Sequence, residues 1–284
     1  MNKFSLVSAD SHVVEPADLW NNYIAPQFRD RAPYVQRDES GTDWFYCEGE
    51  KLFPPGGMSN AGQVDEAPRA RTLEDVYPGA YDPHARLKEM AVDGVEAEVI
   101  YPSIAMRMFT FRDAEFKLAC LEAYNTWAAE YCGTHPDRLK GLAVIDINEI
   151  ERAVAELHRA RELGLRGAMI TVASDDPGLY GTDTHDRFWA AAESLKMPVS
   201  LHVVTGQETR EPLNQTTETV VAVEAQRSLA NMVFGGLFHR FPNLRVVSAE
   251  NDVGWAGYFV ERMDYLYENR REREFFIKDK GLLP

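Results

Sequence analysis

Short apolar, β-rich runs alternate with helical stripes along most of this chain, and that alternation constrains the fold more than any other feature. The runs are FSLVSAD (4–10), EAEVIYPS (96–103), RLKGLAVIDI (138–147), RGAMITVAS (166–174), MPVSLHVVTG (197–206) and NLRVVSAEND (243–252). Between them, Leu87, Met90 and Ala91 form one helical stripe, closed at Gly94. Leu121, Tyr124, Ala128 and Tyr131 form another, and Ile150, Val154, Leu157 and Arg161 a third, ending at Gly164. Asn148 and Glu151 make a capping-box-like pair before that third stripe. Helices are also predicted over DTHDRFWAAAESLK (183–196), from Thr216 to Arg240, and over GWAGYFVERMDYLYENRRERE (254–274). Strands that alternate with helices predict a parallel sheet with helices packed against it, an α/β fold.

One region breaks the pattern. Residues 33–83 read as a hairpin turning at Ser40-Gly41, followed by the irregular loop PPGGMSNAG (54–62). An insertion of this length after the first strand is expected to lie as a lid or substrate wall over a barrel mouth. No internal repeat interrupts the rest, and 284 residues suit a single barrel domain over 1–284.

The ends of the strands carry the chemistry. Asp10 and His12 stand two places apart where the first run stops, so a strand turns both to one face. Tyr101 and Ser103 close the second run, Asp146 the third, Thr171 the fourth, His202 the fifth, and Glu250 the sixth, with Asn251 and Asp252 beyond. In parallel barrels this is the catalytic face. His202 interrupts an otherwise apolar strand, where an imidazole needs a partner or a metal. Taken alone, a strand histidine is more often a satisfied core group. With Asp10 and His12 the balance moves to a metal site.

A net charge of −15 sets nucleic acid and anionic membranes aside as partners. Three scattered cysteines, Cys47, Cys120 and Cys132, make neither a disulfide framework nor a zinc cluster and read as buried thiols. The N-terminus lacks a signal-peptide pattern and no apolar run is long enough to cross a bilayer, so a cytoplasmic protein is expected.

Three motifs, ADSHVVEP (9–16), YPGAYDPHARLKEMAVDGVEAEVIYPS (77–103) and HRFPNLRVVSAENDVGWAGYFVERMD (239–264), together resemble the amidohydrolase-related family, which includes aminocarboxymuconate-semialdehyde decarboxylase-like enzymes. The resemblance runs from about residue 5 to about residue 265 in order. It implies a metal-dependent (β/α)8 TIM barrel acting on small carboxylated molecules, by hydrolysis or by non-oxidative decarboxylation, as a homodimer. It implies a divalent ion, zinc first and manganese second, held by Asp10, His12 and His202. The family's strand-six histidine aligns with Glu250, which is left as the available acid or base, with His202 beside it. Glu15, Arg86, Tyr101 and Asn251 are candidates for substrate contact. Glu15 equally reads as the start of a loop, and Arg86 as a helix-surface ion pair.

Six strands are visible where the family's barrel has eight, and the family's last ligand, an aspartate after strand eight, falls beyond residue 284. A shortened version of a longer chain is the preferred reading, ahead of an open barrel or a gap covered by a neighbouring subunit. Because the strand-six histidine is replaced, hydrolysis by a metal-activated water is the first expectation. Decarboxylation is the alternative, and a non-catalytic degenerate barrel the second alternative.

Overall fold

The computed structural model describes residues 6–55, 71–174, 179–205 and 214–270. The chain divides into two compact units, Met1–Val144 with Ala160–Arg166, and Ile145–Arg159 with Gly167–Pro284. In chain order the elements are β1 (Leu6–His12), α1 (Leu19–Tyr23), β2 (Tyr34–Arg37), β3 (Asp43–Cys47), β4 (Glu50–Phe53), α2 (Pro83–Asp93), β5 (Val95–Tyr101), α3 (Ala114–Gly133), β6 (Leu139–Val144) and α4 (Ile150–Glu162). Then come β7 (Gly167–Thr171), α5 (Asp186–Leu195), β8 (Val199–His202), α6 (Gln215–Thr219), α7 (Ala222–Phe234), α8 (Leu237–Arg240), β9 (Val246–Ala249) and α9 (Ala256–Asn269).

In the first unit β5 lies between β1 and β6, all parallel, with His12 in register against Tyr101 and Glu98 against Leu139. Local chemistry sets the limits of α2. Asp82 accepts hydrogen bonds from the His84 and Ala85 amides, Pro83 takes the first turn, and Gly94 ends the helix at φ +72°. The third helix, α3, buries Phe116, Leu121, Tyr124, Ala128 and Tyr131. Each large apolar side chain so buried contributes about 1.5–3 kcal/mol. Trp20 of α1 is fully buried and donates its indole N–H to the Cys120 carbonyl at 3.1 Å, tying the first helix to the third.

The insertion is richer than a hairpin. β2, β3 and β4 form a three-stranded antiparallel sheet. Its first turn passes through Gly41 at φ +80°, as the sequence predicts. Its second uses Glu48 and Gly49, both at positive φ, the geometry that two-residue hairpin turns favour. Asp38 closes the first turn by accepting bonds from the Ser40 and Thr42 amides and from Lys51 Nζ. The remainder of the expected loop, residues 56–62, lies outside the described residues.

In the second unit β7, β8 and β9 are parallel, and Thr171, His202 and Ala249 stand level in register. Every residue of β8 is buried. The expected single helix from Thr216 to Arg240 is instead three, α6, α7 and α8, broken near Val220 and at Gly235-Gly236. The second break is a packing requirement. A Cβ on Gly235 would stand 2.1 Å from the Gly181 carbonyl oxygen, and Gly236 adopts φ +74°. The last helix is described to Asn269, and the 271–274 end of its predicted span lies outside the described residues. All three cysteines are free and buried. Burial pushes the Cys47 and Cys132 thiols up to about 12, so neither is a reactive thiolate at neutral pH.

Candidate metal and active site

Asp10 and His12 share one face at the end of β1, as their spacing predicts, with His12 Nε2 3.5 Å from Asp10 Oδ1. The other ring nitrogen, Nδ1, is 2.6 Å from the Pro102 carbonyl oxygen. A carbonyl only accepts, so Nδ1 carries the proton and Nε2 the lone pair of the neutral ring. Tyr101 lies beside this pair with its ring centroid 5.9 Å from that of His12, and is buried. The pair borders a cavity of about 610 Å³ in the first unit, whose wall includes Tyr77, Gly79, Arg86 and Glu98.

The second unit repeats the motif on different strands. His202, fully buried at the end of β8, sets Nδ1 2.9 Å from the Val203 carbonyl oxygen. Its Nε2 faces Glu250 Oε2 at 3.7 Å. Both carboxylate–imidazole separations are too long for good hydrogen bonds. Two donors bound tetrahedrally at about 2.1 Å from one ion lie ~3.4 Å apart, close to both values. The residues present therefore fit a divalent cation in donor type, tautomer and spacing. A backbone carbonyl on the second ring nitrogen is the orienting contact that ligating histidines use.

Backbone strain gathers at the same strand ends. Of the five non-glycine residues at positive φ among the described residues, three are Val204, Glu250 and Asp252. A β-branched residue at φ +53° is costly, and the loop after β8 is held by side chains that compensate. Thr205 donates to the His202 carbonyl and accepts from the Val172 amide at 2.8 Å. Ser228 Oγ then donates to the Val172 carbonyl at 2.7 Å. Sequence reasoning missed Thr205, whose only local signal is its position three residues past the histidine.

Asn251 secures the other loop. Its side-chain amide nitrogen donates to the Leu201 and Ala249 carbonyls at 3.1 and 2.7 Å, and its backbone carbonyl accepts the Trp255 indole N–H at 2.6 Å. The side chain is buried, so it braces the ends of β8 and β9 and fixes the turn that carries Glu250. Glu250 itself remains well exposed.

One expected substrate contact, Glu15, is corrected, and a second, Arg86, has a structural role as well as a place in the cavity wall. Glu15 is fully buried and accepts the backbone N–H groups of Ser103, Ile104 and Ala105 at 3.0–3.1 Å. Burial pushes its carboxyl up, while those amides pull it back down. With both oxygens occupied by protein, it is a structural group. Arg86 is also buried, ion-paired to Glu98, and donates to the His12 and Gly79 carbonyls at 2.9 and 3.2 Å. It braces the β1 end and is not a helix-surface residue. Asp146 accepts the Asn148 amide at 3.0 Å, in keeping with a strand-end role.

Comparison with known proteins agrees with this architecture. The family model described as Amidohydrolase matches residues 75–268. A γ-resorcylate decarboxylase of Rhodococcus jostii is 31% identical over 148 residues, 43% of this chain and 42% of that protein. The chain spans about half the length of the curated relatives it matches. Among solved structures, an amidohydrolase from Mycobacterium avium subsp. paratuberculosis superposes with TM-score 0.76 at 19% identity, covering 96% of this chain and 78% of that one. A 5-carboxyvanillate decarboxylase from Novosphingobium aromaticivorans, complexed with manganese and 4-hydroxy-3-methoxy-5-nitrobenzoic acid, gives TM-score 0.65 at 17% identity, covering 96% and 73%. The fold is thus the expected α/β amidohydrolase-type TIM barrel, with six parallel strands among the described residues. The preference for hydrolysis is overturned, since the curated relatives are decarboxylases. Among the described residues no helix is long and apolar enough to cross a membrane.

Proposed function

This chain belongs to the amidohydrolase family, and from that premise we propose that it is a divalent-metal-dependent decarboxylase of a small aromatic or muconate-type carboxylate. One observation carries the reading. Two imidazoles, His12 and His202, each spend Nδ1 on a backbone carbonyl and turn Nε2 to a carboxylate at 3.5 or 3.7 Å. Asp10 and His12 in the first unit and His202 in the second are the ligands that the family resemblance implies. Imidazole with carboxylate suits manganese and zinc alike, and manganese is the ion found in the carboxyvanillate decarboxylase neighbour. Bound there, a divalent ion supplies positive charge for the substrate's oxygen atoms and for the electron pair left when carbon dioxide departs.

The chain's own residues then have distinct tasks. His12 and His202 keep their Nδ1 protons on backbone carbonyls, so both rings stay in one orientation through the cycle. The bond between the carboxyl group and its carbon breaks, carbon dioxide leaves, and the retained electron pair takes a proton that Glu250 Oε2 relays from solvent. Glu250 is exposed enough to regain that proton from solvent. Tyr101 supplies an apolar, aromatic flank beside His12.

The full chain, reconstituted with manganese and separately with zinc, tests this. We expect carbon dioxide release from ortho-hydroxybenzoates or a muconate-type acid, and no turnover of lactones or amides. Hydrolysis without carbon dioxide release, or protein that retains no metal by elemental analysis, would overturn it.

A further inference from the structure

We propose that Glu15 is a positioning residue for His12, acting through the loop that follows β5. The segment leaving β1 and the segment leaving β5 are fastened by a continuous set of hydrogen bonds. Val13 donates its amide to the Tyr101 carbonyl at 3.2 Å, and Ser103 Oγ donates to the Val13 carbonyl at 2.6 Å. Glu15 then gathers the amides of Ser103, Ile104 and Ala105, three consecutive donors, on its two oxygens. Pro102 lies between the two fastened points. It has no amide of its own, so its carbonyl is its single backbone hydrogen-bonding group, and that carbonyl takes the His12 Nδ1 proton.

The consequence reaches the ring's far nitrogen. Where the Pro102 carbonyl stands decides which nitrogen of His12 is protonated, and therefore that Nε2 faces Asp10 with its lone pair. Glu15 touches neither substrate nor ion. Its carboxylate matters because it is purely an acceptor. A glutamine of the same shape turns an N–H₂ toward at least one of the three amides and loosens the loop.

The role bears on metal binding only through the reading above, so the test separates the two. Nitrogen-15 NMR of the metal-free full chain, labelled at histidine, reads the His12 tautomer. Wild type is expected to be Nδ1-protonated, and Glu15→Gln a mixture. Manganese titration, followed through the free-ion EPR signal, is expected to show affinity lowered by about 10–100-fold. A folded Glu15→Gln with the wild-type tautomer overturns the proposal, whatever its metal affinity. A changed tautomer in protein that binds manganese in neither form supports the positioning role and defeats the metal reading instead. Should Glu15→Gln not fold, Ser103→Ala removes the parallel tie to Val13. It too is expected to mix the tautomers, and an unmixed Nδ1-protonated ring there overturns the proposal.

Discussion

His12 Nδ1 stands 2.6 Å from the Pro102 carbonyl oxygen, a contact made between residues 90 positions apart. It converts an ordinary strand-end histidine into one with a defined tautomer. His202 reaches the same state by a different route, donating to the carbonyl of its own neighbour, Val203, at 2.9 Å. The first three predictions below follow from these two rings and the groups around them, and the fourth concerns the β2–β4 sheet.

Removing a proposed ligand should abolish tight metal binding. His12→Ala, Asp10→Asn and His202→Asn are each expected to lower manganese affinity by about 100-fold or more, beyond the range seen for orienting contacts alone. Isothermal titration on folded protein checks this. An affinity within threefold of wild type in any of the three would remove that residue from the ligand set.

Glu250 should matter to turnover more than to binding. Replacing the proton carrier with glutamine is expected to slow carbon dioxide release by about 10²–10⁴-fold, while the ion stays bound. A Glu250→Gln enzyme with wild-type kcat would show that the proton comes from elsewhere.

The buried Arg86–Glu98 pair supports the end of β1. Side chains at 10% and 11% exposure are nearly out of water, so Glu98→Gln strands a guanidinium and should cost about 3–5 kcal/mol. Urea unfolding measures it. The double replacement Arg86→Met with Glu98→Leu should recover most of that loss, since no charge is left unpaired. A double variant as unstable as the single one would contradict the argument.

Acid should loosen the β2–β4 sheet first. The Ser40 hydroxyl, then Lys51, hold the Asp38 carboxyl well below its ordinary value of 3.8, and Arg37 lowers that of Asp43. Because the folded-state values are lowered, the unfolded chain binds protons first as pH falls. The stabilisation is therefore complete above about pH 4 and is lost as pH drops through the depressed values. Trp44, in β3 and 4.5 Å from Lys51 Nζ, reports it by fluorescence. Asp38→Asn should flatten the pH dependence below 4, and an unchanged acid transition in that variant would count against it.

Local pattern carried much of the fold and the candidate ligands. Four of the six parallel strands fall inside the runs read from apolar patterning and β1 and β5 overrun theirs by a residue or two, while α2 starts at Asp82 and stops at Gly94 because capping chemistry acts within a few residues. Asp10 and His12 could be placed on one face because a strand's period of two needs no tertiary information. The break between α7 and α8 was not legible, since it answers to the close approach of Gly181, far away in sequence. The second turn of the insertion was missed for a lesser reason: Glu48 adopts positive φ without being glycine.

What the sequence alone determined is the order of elements, the α/β class and the acid and imidazole groups at the strand ends, all of which follow from periodicities and caps spanning a handful of residues. Only the tertiary structure decided what each polar group is for. Glu15 and Arg86 look as available for substrate as Glu250 when read in a line. Folding brings three distant amides to the first and a buried carboxylate to the second, and leaves the third in contact with water. A hydrogen bond depends on position in space rather than on distance along the chain, so those assignments had to wait for the fold.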